Sequence, residues 1–371
     1  MTTSAPASPS GKSMILLSRL LLLPRNSDPT YSSEMAALKS DIRNISREEF
    51  DELLSLANSN HVIVRGMELF LNMMREAKDS IRAEWAETAL VEERARINNA
   101  VSFLHKICKA FEEENRDVTV IKSLDHWPDL GSDLDLYSNA KSKEVIDLMK
   151  RRFNAKKSER SWGDRLARKW NFEIPGLPES VEIHVGRLGQ TGEQTVIASR
   201  IAPRARQVQV NGLDFRLTSV SDRIMISTLQ RMYRHFYFRL CDIVDNVTLS
   251  ETIGIDFQDL RAAATSAGIW EGVATYLVIV SDYVKQYRGT GIELPQFVLD
   301  AARFGGDQVF YRKEFIRVPI MPQSAKLYGS QLAGLLKKRE VQNGARLSLL
   351  PWLATAALVG QKITGSDKGI W

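Results

Sequence analysis

A chain of 371 residues with 44% hydrophobic content is long enough to bury one large core or two ordinary ones, which excludes disorder for most of its length. The net charge of +5 is modest for that size, and the basic excess is local: nine Lys or Arg fall between Lys150 and Lys169 against only Glu159 and Asp164. Two cysteines, Cys108 and Cys241, have neither a metal-ligand spacing nor the density of a disulfide scaffold, so a reducing cytoplasm is the simplest setting.

Residues 1–13, rich in Ser, Ala, Pro and Thr, are expected to form a disordered tail. The apolar run from Met14 to Pro24 looks superficially like a signal sequence. Arg19 interrupts it, however, Pro24-Arg25-Asn26 offers no small-residue cleavage site, and the run is too short to span a bilayer, so it reads as a docked N-terminal helix. Ser46 with Glu49 forms a capping box that starts a helix through Leu56, and Val62 to Ala77 continues with helical apolar spacing. Glu84 to Glu114 is a long, charged amphipathic stretch; with no internal repeat, residues 14–115 read as a helical region.

The pattern then changes. Val118 to Lys122 reads as a buried strand, followed after a turn by Gly131-Ser132-Asp133-Leu134-Asp135-Leu136-Tyr137. Period-two alternation puts both aspartates on one face and both leucines on the other. Two carboxylates this close repel when ionised, so a confined site that keeps both charged is most simply explained by a divalent cation, with Mg²⁺ the natural choice for phosphoryl or nucleotidyl chemistry. A lone D-x-D also occurs on exposed strand ends and turns. Ser142 can cap a helix whose Val145, Leu148, Met149 and Phe153 form one apolar face, and Gln207 to Leu217 alternates around Asn211-Gly212, a hairpin signal that makes the sheet mixed.

Beyond Ser219 or Ser221, Met225, Leu229, Met232, Phe236, Leu240, Ile243 and Val247 recur at spacings of three and four, predicting one long helix. Arg231, His235, Arg239 and Asp242 share its neighbouring face, either as a salt-bridged flank or as groups leaning toward a triphosphate. Leu347 to Ile363 is apolar but interrupted by Pro351, and it falls short of a transmembrane segment.

The order of strand, turn and D-x-D strand resembles the core of the DNA polymerase β-like nucleotidyltransferase superfamily, whose signature is a hydrophobic residue, Gly, Gly or Ser, and then D-x-D or D-x-E. Lys122 and Ser123 stand where the signature has Gly and Gly or Ser, while Gly131-Ser132 directly abuts Asp133. One bacterial branch of uncharacterised nucleotidyltransferase family proteins is similar over residues 45 to 350. Val120-Ile121-Lys122-Ser123 resembles its "LKG"-like strand, Val181-Glu182-Ile183-His184-Val185 its hydrophobic-D-hydrophobic-H strand, and Leu217 to Asp245 its long helix ending in Arg-x-x-Asp.

That resemblance implies an α+β fold: a small mixed β-sheet nucleotidyltransferase core at 116–217, flanked by the helical region 14–115 and a mostly helical C-terminal region 218–371. It implies an enzyme that uses Mg²⁺ or Mn²⁺ to move an NMP from an NTP to a hydroxyl-bearing acceptor. Asp133, Asp135 and Glu182 would be the metal-binding and catalytic carboxylates, with Glu173 and Asp214 as alternatives for the third. Lys122, Ser123, Gly131, Ser132 and His184 would face the nucleotide, although His184 also reads as a satisfied core residue. Because non-Gly residues restrict the close approach of a phosphate cradle, a catalytically degenerate nucleotide-binding or regulatory protein on the same fold is the alternative. The basic segment could instead face nucleic acid, but Phe153, Trp162 and Trp170 are too sparse for a stacking platform, and a solvated helical face accounts for it.

Overall fold

The computed structural model describes residues 9–23, 31–161, 164–165, 167–188, 193–312, 314–337 and separate positions between 339 and 352. Residues 1–8, Trp162 and most of the apolar stretch 347–363 lie outside the described residues. Among those described, no helix is long and apolar enough to cross a membrane.

Five helices come first: α1 (Pro9–Leu21), α2 (Tyr31–Arg43), α3 (Arg47–Ser59), α4 (Ile63–Glu76) and α5 (Ser80–Glu113). Helix α1 begins inside the segment expected to be disordered, because Met14, Leu17 and Leu20 form a fully buried stripe that anchors the turns before it. Helix α3 carries the capping box, with Glu49 N–H donating to Ser46 Oγ at 3.2 Å and Ser46 N–H to Glu49 Oε2 at 2.9 Å. Helix α4 follows Val62, which offers no side-chain cap. Its first N–H groups are met instead by Asp129, whose Oδ1 accepts from Val64 N–H at 2.6 Å.

The central sheet has seven strands: β1 (Val118–Val120), β2 (Asp133–Ser138), β3 (Lys156–Lys157), β4 (Lys169–Ile174), β5 (Leu177–Val185), β6 (Arg206–Val210) and β7 (Leu213–Leu217), in the order β3-β4-β5-β2-β1-β7-β6. It is mixed: β2–β5 and β1–β7 are parallel, and the other neighbours antiparallel. The β6–β7 loop is Asn211-Gly212, both with positive φ (51° and 73°), the two-residue turn that matches strand twist. Between strands lie α6 (Ser142–Phe153) and α7 (Glu193–Arg204). Helix α6 is entered through Lys141, whose N–H donates to Glu144 Oε2 at 3.0 Å, rather than through a Ser142 cap.

The long helix predicted over 217–245 is broken. Helix α8 (Val220–Gln230) runs into a π-turn at Arg231–His235, Phe236 takes a left-handed conformation (φ 54°), β8 (Tyr237–Phe238) follows, and α9 (Leu240–Thr248) restarts. The aromatic pair Tyr237-Phe238 finds a better partner in β10 (Phe315–Arg317), which itself pairs with β9 (Phe310–Arg312) in a small antiparallel sheet. Asp242 then caps the restarted helix, accepting from Arg239 N–H at 2.8 Å. Helices α10 (Phe257–Ala267), α11 (Trp270–Arg288), α12 (Gln296–Leu299) and α13 (Ala325–Lys337) complete the described chain. Ser18 of α1 shares a 2.6 Å hydrogen bond with Tyr283 of α11, so the first helix packs on the C-terminal region.

Candidate active site

The parallel register of β2 and β5 aligns Asp133 with Ser180, Asp135 with Glu182 and Tyr137 with His184. Leu134, Leu136, Val181 and Ile183, on the opposite side of the same strands, are all 0% exposed. Core packing therefore dictates which way the acidic side chains face. They line a cavity of about 280 Å³ whose opposite wall is the broken segment from Gln230 to Arg239. Ligand atoms of Asp135, Glu182 and His184 lie within 4.8 Å of one another; Asp133 lines the same cavity, with Ser132 Oγ donating to its Oδ2 at 3.2 Å.

Two lysines meet these carboxylates. Lys122 pairs with Asp135, while Lys169 Nζ lies 2.8 Å from Glu182 Oε1 and 3.1 Å from Asp164 Oδ1. Burial works against ionising Asp135, but the Lys122 ammonium overrides it and holds the carboxyl well below the usual range. Glu182 goes the other way: burial first, and the Asp135 charge second, push it up to about 7. Burial and the same neighbour also raise Asp133. His184 is 4% exposed and is lowered to about 4 by burial, so its imidazole is neutral at neutral pH. Neither ring nitrogen has a hydrogen-bond partner among the described residues; Nε2 approaches Asp135 Oδ1 at 3.4 Å without hydrogen-bond geometry. A buried imidazole with open lone-pair capacity beside two carboxylates fits a divalent cation.

The turn ahead of β2 differs from an open phosphate cradle. Lys122 has φ 63° and ψ −55°, and Ser123 N–H donates to Ile121 O at 2.7 Å: a γ-turn centred on Lys122. Ser123 Oγ accepts from Asp135 N–H at 2.6 Å and donates to Asp133 O at 3.3 Å. Both donors of Ser123 are thus engaged by the chain, and its role is to clamp β2. The stretch before Asp133 is clamped from α5: Arg96 donates to Leu130 O at 3.0 Å and Gly131 O at 3.3 Å, and pairs with Glu179 of β5 at 2.5 Å.

Arg231, Arg234, His235, Tyr237 and Arg239 form the facing wall. Arg231 is buried and paired with Asp242 at 2.7 Å, so the predicted charged face serves both as a salt-bridged support and as a cavity wall. Arg239 lies 5.8 Å from the ring of Tyr237, which stacks on Phe315 at 4.4 Å. Burial lowers His235 to about 3. At the remaining edge, His61 and His126 stack at 5.9 Å, and His126 Nδ1 meets Asp245 Oδ2 at 2.5 Å; Arg65 joins Asp245 (2.8 Å) to Asp129 (2.7 Å).

Sequence reasoning missed Lys169 as a site residue, along with Asp164, His61 and His126. In the sequence Lys169 is one member of the basic segment, whose other residues disperse: Lys150 to Arg152 end α6, Lys156-Lys157 form β3, and Arg160 lies 3.8 Å over Trp170. No single helical face carries the segment. The alternatives for the third carboxylate are outside the cavity: Glu173 accepts from Ser158 Oγ at 3.0 Å on the far strand pair, and Asp214 is exposed on β7. No protein-family model matches the sequence, and no curated protein matches it.

Proposed function

We propose that the protein is a divalent-metal-dependent nucleotidyltransferase of the DNA polymerase β-like kind, moving an NMP from an NTP to an acceptor hydroxyl. The observation that carries this reading is the alignment of Asp135 with Glu182 across parallel strands, opposite a wall of arginines. The cavity combines carboxylates and His184 from the sheet, two of the carboxylates paired with Lys122 and Lys169, with Arg234 and Arg239 from the broken segment, an arrangement suited to a polyphosphate held between cation and guanidinium groups.

Asp135, Glu182 and His184, with Asp133 beside them, are the groups that would hold the ion; when bound, it supplies charge neutralisation for the triphosphate. Glu182 accepts the proton of the acceptor hydroxyl as its oxygen attacks the α-phosphorus. The α–β bridging P–O bond breaks, and its electron pair leaves with pyrophosphate. Arg234 and Arg239 neutralise the charge that accumulates on the leaving group. Lys122 exchanges Asp135 for a phosphate oxygen as substrate enters.

Incubation with each α-labelled NTP, Mg²⁺ or Mn²⁺ and a cell extract of small-molecule and protein acceptors tests this, reading pyrophosphate and transferred label. Transfer that disappears in Glu182→Gln, with NTP binding retained, is the expected result; no pyrophosphate from any NTP overturns it. A second reading draws on the engaged Ser123 and on the two lysines that already neutralise Asp135 and Glu182: a nucleotide-binding protein without transfer activity. Saturable NTP binding by calorimetry without turnover would select it.

A further inference from the structure

Of the three side chains that cluster here, Asp135 is paired with Lys122 and Glu182 with Lys169, while the imidazole of His184 is the one with no hydrogen bond among the described residues. His184 is 4% exposed, stands on β5 two residues from Glu182, and lines the cavity with Nε2 3.4 Å from Asp135 Oδ1. Both of its ring nitrogens lack a hydrogen bond among the described residues, whereas Asp135 Oδ1 is ion-paired with Lys122. A buried polar group left open in this way carries an unfavourable desolvation term that a ligand removes. Nothing in the cluster is a thiolate; Cys241 sits instead beside His126 at 3.8 Å.

We infer that His184 Nε2 is a direct metal ligand together with Asp135 and Glu182, and that this nitrogen selects Mn²⁺ over Mg²⁺. The inference deepens the proposed function and rests on its metal site. Mg²⁺ keeps hard oxygen ligands and its own waters, so an imidazole in its coordination shell is a poor exchange for water. Mn²⁺ accepts the same carboxylates and tolerates nitrogen better, which turns the unpartnered imidazole from a liability into a discriminator. Asp133, outside that cluster but in the same cavity and bonded to Ser132, is left to meet the substrate side of the ion.

The test is Mn²⁺ binding to the full chain, followed by electron paramagnetic resonance with Mg²⁺ as competitor, and by pulsed measurement of nitrogen coupling in natural and ¹⁵N-histidine protein. Wild type is expected to bind Mn²⁺ about tenfold or more tightly than Mg²⁺, with a directly coordinated nitrogen. In His184→Gln that coupling should vanish and the two ions should bind within about threefold of each other. His61→Asn, which changes another cavity histidine, should keep both the coupling and the preference.

Mn²⁺ bound without nitrogen coupling, or coupling that survives in His184→Gln, overturns the assignment. Should His184→Gln not fold, the isotope-dependent coupling in wild type and His61→Asn decides alone. Equal affinity for the two ions accompanied by NMP transfer overturns this inference while leaving the proposed function standing. No binding of either ion overturns both.

Discussion

Lys122 combines two properties that a signature glycine would separate. Its backbone occupies a γ-turn with φ 63°, a region of stored strain for a side-chain-bearing residue, while its ammonium neutralises Asp135. Lys122→Gly and Lys122→Met both remove the ion pair, but only glycine relieves the backbone. Glycine is therefore expected to be more stable than methionine by about 1–2 kcal/mol, read from urea unfolding of the metal-free proteins. Equal stability would mean the turn is not strained. At this scale the sequence was informative about direction and silent about pairing. Alternation placed Asp133 and Asp135 on one face and Glu182 with His184 on another, because a strand's period is a local property. The partnership of Lys169 with Glu182 depends on β4 lying antiparallel to β5, which no local pattern in 150–169 encodes.

Among the elements, α4 depends on a residue far along the chain. Asp129 is 1% exposed, meets the N-terminal amides of α4 and pairs with Arg65, whose other partner is Asp245. Asp129→Ala should cost about 2–4 kcal/mol in chemical denaturation, since it removes one of the two carboxylates that hold a buried guanidinium and uncaps the helix. Asp129→Asn keeps an oxygen for the amides and should recover about 1 kcal/mol of that loss. Helices with their own start signals, such as α3 with Ser46 and Glu49, were legible; the beginning of α4 was visible only as apolar spacing. The break at Arg231–His235 was hidden for a related reason. The three-and-four spacing continues through Phe236 and Leu240, so periodicity alone cannot tell a continuous helix from two helices joined by a turn that happens to preserve phase. What decides is the distant β10, which offers Tyr237-Phe238 a sheet partner.

For the molecule as a whole, two half-buried histidines, His61 and His126, set a pH dependence. Burial lowers His61 from 6.5 to about 2. A depressed folded pKa gives stability that is present above the unfolded value and lost as pH falls toward the folded one, because the unfolded chain takes up the proton first. Between pH 6.5 and 4.5, in metal-free buffer, wild type should lose about 2 kcal/mol more stability than His61→Asn, an asparagine being compatible with the left-handed backbone at this position. Parallel urea titrations of the two proteins check this. Identical slopes would mean that water reaches the ring freely. His126 has the opposite sign: despite burial, Cys241 and Asp245 hold it above its ordinary value, so its contribution is lost on the alkaline side.

The clamp made by Arg96 sets a limit on how this fold can be divided. The guanidinium comes from the middle of α5, yet it grips the carbonyls that lead into Asp133 and a carboxylate on the neighbouring strand. These contacts cross the boundary expected at residue 116. A sheet excised there would leave behind the hand that aims its aspartates, and also His61, which lines the cavity. Recombination, truncation or grafting of this sheet would have to carry the helical scaffold with it, while the solvent-facing Asn211-Gly212 turn is where foreign sequence can enter without disturbing the aim.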